Sequence, residues 1–124
     1  MAQSARSIAV VDDDAAVRDA LKFALEFEGL LVCLYDGAQA LLADPELAHH
    51  GCLVIDYRMP EIDGLELVEV LHARGLAIPV IMITGRANNG MRARASRAGI
   101  LAVLEKPLSS NALADAIRSA LAGR

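Results

Sequence analysis

A chain of 124 residues, 55% hydrophobic but only 3% aromatic, has one domain's length and a core to be built from Val, Ile, Leu and Ala. That composition excludes disorder, and a net charge of −4 excludes a general binder of nucleic acid or anionic membranes, which needs a basic face. No run approaches the roughly 20 apolar residues of a membrane span, and "MAQSARS" lacks a secretory apolar core, so a cytoplasmic protein is expected.

The first apolar run, "SIAVVD" (Ser7 to Asp12), is continuous rather than alternating, as in a strand covered on both faces. It runs into Asp12, Asp13 and Asp14, after which Val17, Leu21, Ala24 and Leu25 recur at helical spacing until Gly29 supplies a stop. A second strand, "LLVCLY" (Leu30 to Tyr35), precedes a short helical pattern from Gly37 to Ala43. The third strand, "CLVID" (Cys52 to Asp56), leads through the turn residues of "MPEIDG" to a helix over Leu65 to Arg74, stopped by Gly75. "PVIMIT" (Pro79 to Thr84) is the fourth strand. The helix expected after it, Met91 to Ala98, has few apolar anchors among Arg92, Arg94 and Arg97. "LAVLE" (Leu101 to Glu105) and a helix over Asn111 to Leu121, with Leu113, Ile117 and Leu121 on one face, complete the chain. Cys33 and Cys52 lie inside strand runs and read as small buried thiols, not as a disulfide or metal site. With no linker, repeat or low-complexity segment, residues 1–124 are expected to form a single domain.

Strict alternation of strand and helix dictates a parallel sheet with helices on both faces and right-handed crossovers. The five-stranded version is a flavodoxin-like, doubly wound α/β fold of strand order 2-1-3-4-5 with five helices, and its ligand site lies at the carboxyl ends of strands 1 and 3. Asp12, Asp13 and Asp14 follow strand 1, Asp56 ends strand 3, Thr84 ends strand 4 and Lys106 follows strand 5, so one sheet edge collects them all. Gathered carboxylates repel one another and take up protons unless a cation compensates them. Mg2+ suits such a set, because it favours carboxylates, retained waters and a phosphate. An aspartate beside that metal can attack phosphorus to give an acyl phosphate, with Thr84 and Lys106 available to bind the phosphoryl oxygens. Singly, each residue is ordinary: Asp14 can simply cap the next helix and Asp56 can start a loop. The signal is their coincidence at strand ends.

The stretches "VVDDD", "LVIDYRMPEIDGLEL", "PVIMITG" and "LEKP", in this order between Ile8 and Leu121, resemble the receiver domain of two-component response regulators, most nearly the FixJ-type group of this CheY-like family. The resemblance implies that Asp56 is the phosphoacceptor and that Mg2+ is held by Asp12, Asp13, Asp56 and the backbone carbonyl of Arg58. It makes Thr84 the switch hydroxyl with the small residue Gly85 beside it, Lys106 the phosphate-binding lysine, and the Lys106–Pro107 bond cis. Val103 stands where most receivers carry an aromatic residue that moves with the switch hydroxyl. Arg58 and Arg86 border the approach of water to the acyl phosphate, and the basic "RANNGMRARASRAG" reads as a solvated helix face.

The implied donor is a sensor histidine kinase or a histidine phosphotransfer protein. The implied output is a protein effector, a C-terminal output domain or a phosphorylation-dependent homodimer, with no direct nucleic-acid or membrane contact by this domain. It is expected to be no enzyme beyond its own phosphotransfer and autodephosphorylation. A haloacid-dehalogenase-type phosphatase uses similar groups, but its nucleophile follows strand 1 in a D-x-D pattern, whereas Asp56 follows strand 3. A degenerate receiver serving as a constitutive interaction module fits less well, since all five site positions are filled. A flavodoxin-like cofactor binder needs a phosphate loop after strand 1, where three aspartates would repel phosphate.

Overall fold

In the computed structural model, which describes residues 6–109 and 111–123, strands and helices alternate from end to end. The order is β1 (Ser7–Val11), α1 (Ala15–Phe27), β2 (Leu31–Tyr35), α2 (Ala38–Ala43), a 3-10 turn (Leu47–His49), β3 (Cys52–Asp56), α3 (Gly64–Ala73), β4 (Val80–Thr84), α4 (Asn89–Arg97), β5 (Ala102–Glu105) and α5 (Ala112–Ala122). All strand pairs are parallel, in the order β2-β1-β3-β4-β5, the doubly wound arrangement that the alternation predicts. Residues 1–5, most of the stretch from which the absence of a secretory signal is read, lie outside the described residues. No helix among the described residues is long and apolar enough to cross a membrane.

The sheet divides the core in two. Ala9, Val11, Leu53, Ile55 and Met82 point to the side covered by α2, α3 and α4, while Ile8, Val10, Val54, Ile81 and Ile83 point to the side of α1 and α5. β3 and β4 are buried at every position, which is why their sequences are unbroken apolar runs. Each Val, Leu, Ile or Met side chain among them contributes about 1.5–3 kcal/mol on leaving water.

The edge strands depart from that pattern. Leu31 and Cys33 of β2 are exposed, so the expectation of a buried Cys33 is wrong, whereas Cys52 is buried as expected. The physical reason is cover: α2 is only six residues long and reaches Tyr35 but not the start of β2. Helix ends follow the local chemistry. Asp14 caps α1 by accepting from the amides of Ala16 and Val17, and Gly29 and Gly75 end α1 and α3 at φ of +86° and +78°. α4 starts at Asn89, before the first apolar anchor, because the Asn88 side chain accepts from the Met91 amide.

Gly64 fixes where α3 meets the sheet. Its amide donates to the Tyr57 carbonyl at 2.8 Å, and a Cβ added there would lie 2.5 Å from Met82 Sδ and 3.0 Å from the Asp56 carbonyl oxygen. Gly64→Ala is therefore expected to cost about 1–3 kcal/mol through overpacking. Gly37→Ala, whose new Cβ meets nothing within 4 Å, should stay within about 1 kcal/mol of the parent. Urea denaturation midpoints of the two variants check this, and equal midpoints would refute it.

Candidate functional site

Register brings the site together. Val11 pairs with Ile55, so the next residues, Asp12 and Asp56, emerge side by side from β1 and β3. Asp56 pairs with Ile83, and Thr84 pairs with Glu105, which places Thr84 and then Lys106 along the same edge. This is the carboxyl edge of the sheet where strand order reverses, the position at which such folds leave an open crevice.

One carboxylate oxygen from each of Asp12, Asp13 and Asp56 lies within 4.8 Å of the others. Asp12 and Asp56 are buried at 2% and 7% exposure, and Asp13 is exposed. The Lys106 ammonium sits 3.5 Å from Asp12 Oδ2 and 3.7 Å from Asp56 Oδ1, shared between the two buried acids. Thr84, 1% exposed, ends β4 on the same edge. Its hydroxyl donates to the Arg86 carbonyl at 3.1 Å and accepts from the Arg86 amide at 3.3 Å. Arg58 and Arg86 are exposed, and the Arg58 backbone amide hydrogen-bonds the Asp56 carboxylate. An open cleft of about 450 Å3, lined by Asp13, Tyr57, Arg58, Met59, Pro60 and Asp63, adjoins the acids. Beside Thr84, a Cβ added to Gly85 would meet open space. Val103 is half-buried against the core on the α3 and α4 side, and the Lys106–Pro107 bond is cis.

The three consecutive aspartates thus divide their work: Asp14 caps α1, while Asp12 and Asp13 face Asp56. Asp12 is held from several directions that the sequence does not advertise. Its amide donates to the Tyr35 carbonyl at 3.1 Å, its Oδ1 accepts from the Asp14 amide at 2.9 Å, and its carbonyl accepts from Arg18 Nη1 at 2.7 Å. Neither Arg18 nor Tyr35 belongs to a motif, and a lone arginine in the first turns of a helix carries no signal of this role.

Burial pushes the Asp56 carboxyl up to about 6, and the neighbouring Asp12 charge adds to the rise. Lys106 and the Arg58 amide oppose it, and Asp13 adds a little more. One ammonium against three carboxylates leaves an excess of negative charge in a partly dry crevice. Oxygen donors from three acids, two of them buried, fit a hard divalent cation.

Comparison with known proteins bears on what this crevice serves. The family profile described as "Response regulator receiver domain" matches residues 8–118. The chain is 42% identical over 115 residues to the transcriptional regulatory protein FixJ of Bradyrhizobium diazoefficiens, covering 92% of this chain and 56% of that protein. It is 40% identical over 114 residues to the C4-dicarboxylate transport transcriptional regulatory protein DctD of Pseudomonas aeruginosa, covering 92% of this chain and 25% of that one. Among solved structures, FixJ-N superposes with a TM-score of 0.87 at 32% identity, over 98% of both chains. The response regulator StyR superposes with a TM-score of 0.88 at 39% identity, over 96% of this chain and 60% of that one. The chain spans about half the length of the FixJ relatives it matches.

Because the folded protein holds a proton on Asp56 more tightly than the unfolded chain does, this group's contribution to stability grows as pH falls through about 6. It is complete below about 4, where the unfolded chain is protonated as well. Above pH 6 the ionised acid strains the metal-free fold, so Asp56→Asn should stabilise it by on the order of 2 kcal/mol at pH 7.5. The advantage should shrink to nothing by about pH 4. Chemical denaturation across that range, with chelator present, checks this, and a destabilised Asp56→Asn at pH 7.5 would contradict the charge account.

Proposed function

The chain belongs to the response regulator receiver family, and we propose that it is a phosphoacceptor in a two-component relay, taking a phosphoryl group on Asp56. The donor is a sensor histidine kinase or a histidine phosphotransfer protein. The observation that carries this reading is the convergence of three carboxylates within 4.8 Å with the Lys106 ammonium 3.5 Å and 3.7 Å from the two buried ones.

Mg2+, held by Asp12, Asp13, Asp56 and the backbone carbonyl of Arg58, would supply the positive charge that cancels carboxylate repulsion and shields the transferred oxygens. The ionised Asp56 oxygen attacks phosphorus. The bond from phosphorus to the donor nitrogen breaks, its electron pair leaves with the imidazole, and a mixed carboxylic–phosphoric anhydride remains. Lys106, already poised between Asp12 and Asp56, neutralises one of the phosphoryl oxygens. Thr84 exchanges its two bonds to the Arg86 backbone for one to a phosphoryl oxygen, which releases the loop it now holds. That loop is tied to β5 through the Ala87 amide and Glu105 Oε2 at 2.8 Å, so its release is felt by β5 and by α4. Val103 is too small and too stiff at χ1 to carry the signal by a rotamer change, which leaves the loop and α4 as the moving parts.

Residues 1–124 act as one receiver domain, in the cytoplasm, and turn over no external substrate. Its output is a protein–protein event with an effector, a C-terminal output domain or a second copy. Acetyl phosphate with Mg2+ should add one phosphoryl group to the parent by intact mass, and Asp56→Asn should take none. Full labelling of Asp56→Asn, or a rate unaffected by chelator, would refute the reading.

Arg58 and Arg86 flank the path by which water would reach the acyl phosphate, and a guanidinium neither acts as a base nor leaves phosphate oxygens unpaired. Slow autodephosphorylation is expected, and the phosphoryl half-life should fall by about 3- to 10-fold in an Arg58→Asn, Arg86→Glu double variant that admits an in-line water. A half-life equal to or longer than the parent's would show that these side chains do not guard the phosphate.

A further inference from the structure

Tyr35 closes β2 and is the one buried residue of that strand. β2 is an edge strand paired with β1 alone, the kind of segment that opens most readily. Its last carbonyl nevertheless has a defined partner, since it accepts the Asp12 amide one step beyond the Val11 and Tyr35 pair. The anchor of that strand end lies at the other end of the Tyr35 side chain. The phenol donates to Asp44 and meets His50 Nε2 at 2.6 Å, and His50 Nδ1 meets Ser7 Oγ at 2.6 Å. His50 is 3% exposed, and its ring stands edge-on to Tyr35 with centroids 5.7 Å apart.

Donor and acceptor counts fix the protons in this row of four. The Tyr35 hydrogen bond holds the Asp44 carboxyl below its ordinary range, so Asp44 is an ionised acceptor and the single phenolic proton points to it. Tyr35 oxygen must then face His50 as an acceptor, which puts the imidazole proton on Nε2. Burial lowers the His50 pKa and keeps the ring neutral, so Nδ1 presents a lone pair to the Ser7 hydroxyl. Reversing any one bond would set two protons or two lone pairs face to face. The row ties the first residue of β1, the residue after α2 and the residue after the 3-10 turn to the end of β2.

We propose that Tyr35 and His50 are positioning residues for Asp12: by fixing the phenol they fix the Tyr35 carbonyl, and through it the backbone from which the Asp12 carboxylate enters the acidic crevice. The inference rests on the reading of Asp12 as a cation ligand. Asp14 and Arg18 hold Asp12 from α1 and Lys106 holds it from beyond β5, while the bond to Tyr35 is its tie to β2. Groups that orient a ligand from behind are known to set metal affinity without touching the metal.

Tyr35→Phe keeps the ring and removes the oxygen, His50→Leu removes the buried donor, and His50→Gln keeps an N–H near the place of Nε2. Two quantities are read by NMR: amide exchange at Asp12 in the metal-free protein, and Mg2+ affinity from amide titration with no phosphodonor present. The Phe and Leu variants should exchange the Asp12 amide about ten-fold faster and bind Mg2+ about 3- to 10-fold more weakly. His50→Gln should stay within about two-fold of the parent, and the phosphorylation rate at saturating Mg2+ should hold in all three. An Ile117→Val or Ile117→Ala control, on the opposite face of the sheet and matched in melting temperature, should leave Asp12 exchange and Mg2+ affinity unchanged. Unaltered Asp12 exchange in Tyr35→Phe, or an equal change in the control, overturns the proposal. A parent that binds no Mg2+ removes the reading of the crevice, while exchange at Asp12 still decides whether Tyr35 and His50 position it.

Discussion

Three carboxylates share a space within 4.8 Å, and the sheet does not let them part. β1 and β3 lie side by side with Val11 opposite Ile55, so Asp12 and Asp56 leave the sheet as neighbours whatever their charge. Relaxation by strand slippage is closed, because moving β3 by one residue would turn its fully buried side chains to the wrong face. The repulsion therefore persists in the metal-free fold and shows itself in the Asp56 carboxyl, which burial and Asp12 hold at about 6. Lys106 answers one of three negative charges. A site with this excess responds strongly to any cation or phosphoryl group that changes the balance.

Rigidity and freedom are distributed around that charge in a way that suits a switch. Asp12 is bound through its amide, its carbonyl and its carboxylate, and Gly64 lets α3 close directly on the Asp56 backbone. The acids thus stay where they are. Thr84 differs: its backbone is fixed in a fully buried strand, but its hydroxyl is committed to nothing firmer than the loop two residues on. α4, which follows that loop, is anchored by Met91 and Ala95 among exposed arginines, a thin attachment beside that of α3 with Leu65, Leu67, Val68 and Leu71. A change in charge at Asp56 can move the Thr84 loop and α4 at small cost while the acidic crevice keeps its shape.

Much of this is legible in the sequence, for physical reasons that also explain what is not. Central strands must be apolar on both faces, so β3 and β4 declared themselves as unbroken runs, and strict alternation with helices left few topologies open. The site was legible because a parallel sheet collects its strand ends, so Asp12, Asp56, Thr84 and Lys106 could be grouped by counting. Edge strands escape this logic: "LLVCLY" looks as apolar as "PVIMIT", and only the shortness of α2 leaves Cys33 in water. Contacts made by single polar side chains escaped too. His50 stands in "AHHGC" with no periodicity to mark it, Arg18 is one arginine among several, and Gly64 reads as a turn glycine although its task is close packing.

The account turns on the claim that the fold carries uncompensated negative charge at this edge and that a divalent cation relieves it. The direct measurement is the melting temperature of the parent and of an Asp12→Asn, Asp13→Asn double variant against Mg2+ concentration, at constant ionic strength and pH 7.5. A ligand that binds the folded state stabilises it in proportion to the logarithm of its concentration above Kd. The account predicts a steady rise in the parent and a flat line in the double variant, which should also start from a higher melting temperature without metal. A parent indifferent to Mg2+, or a double variant that rises with the same slope, would contradict it.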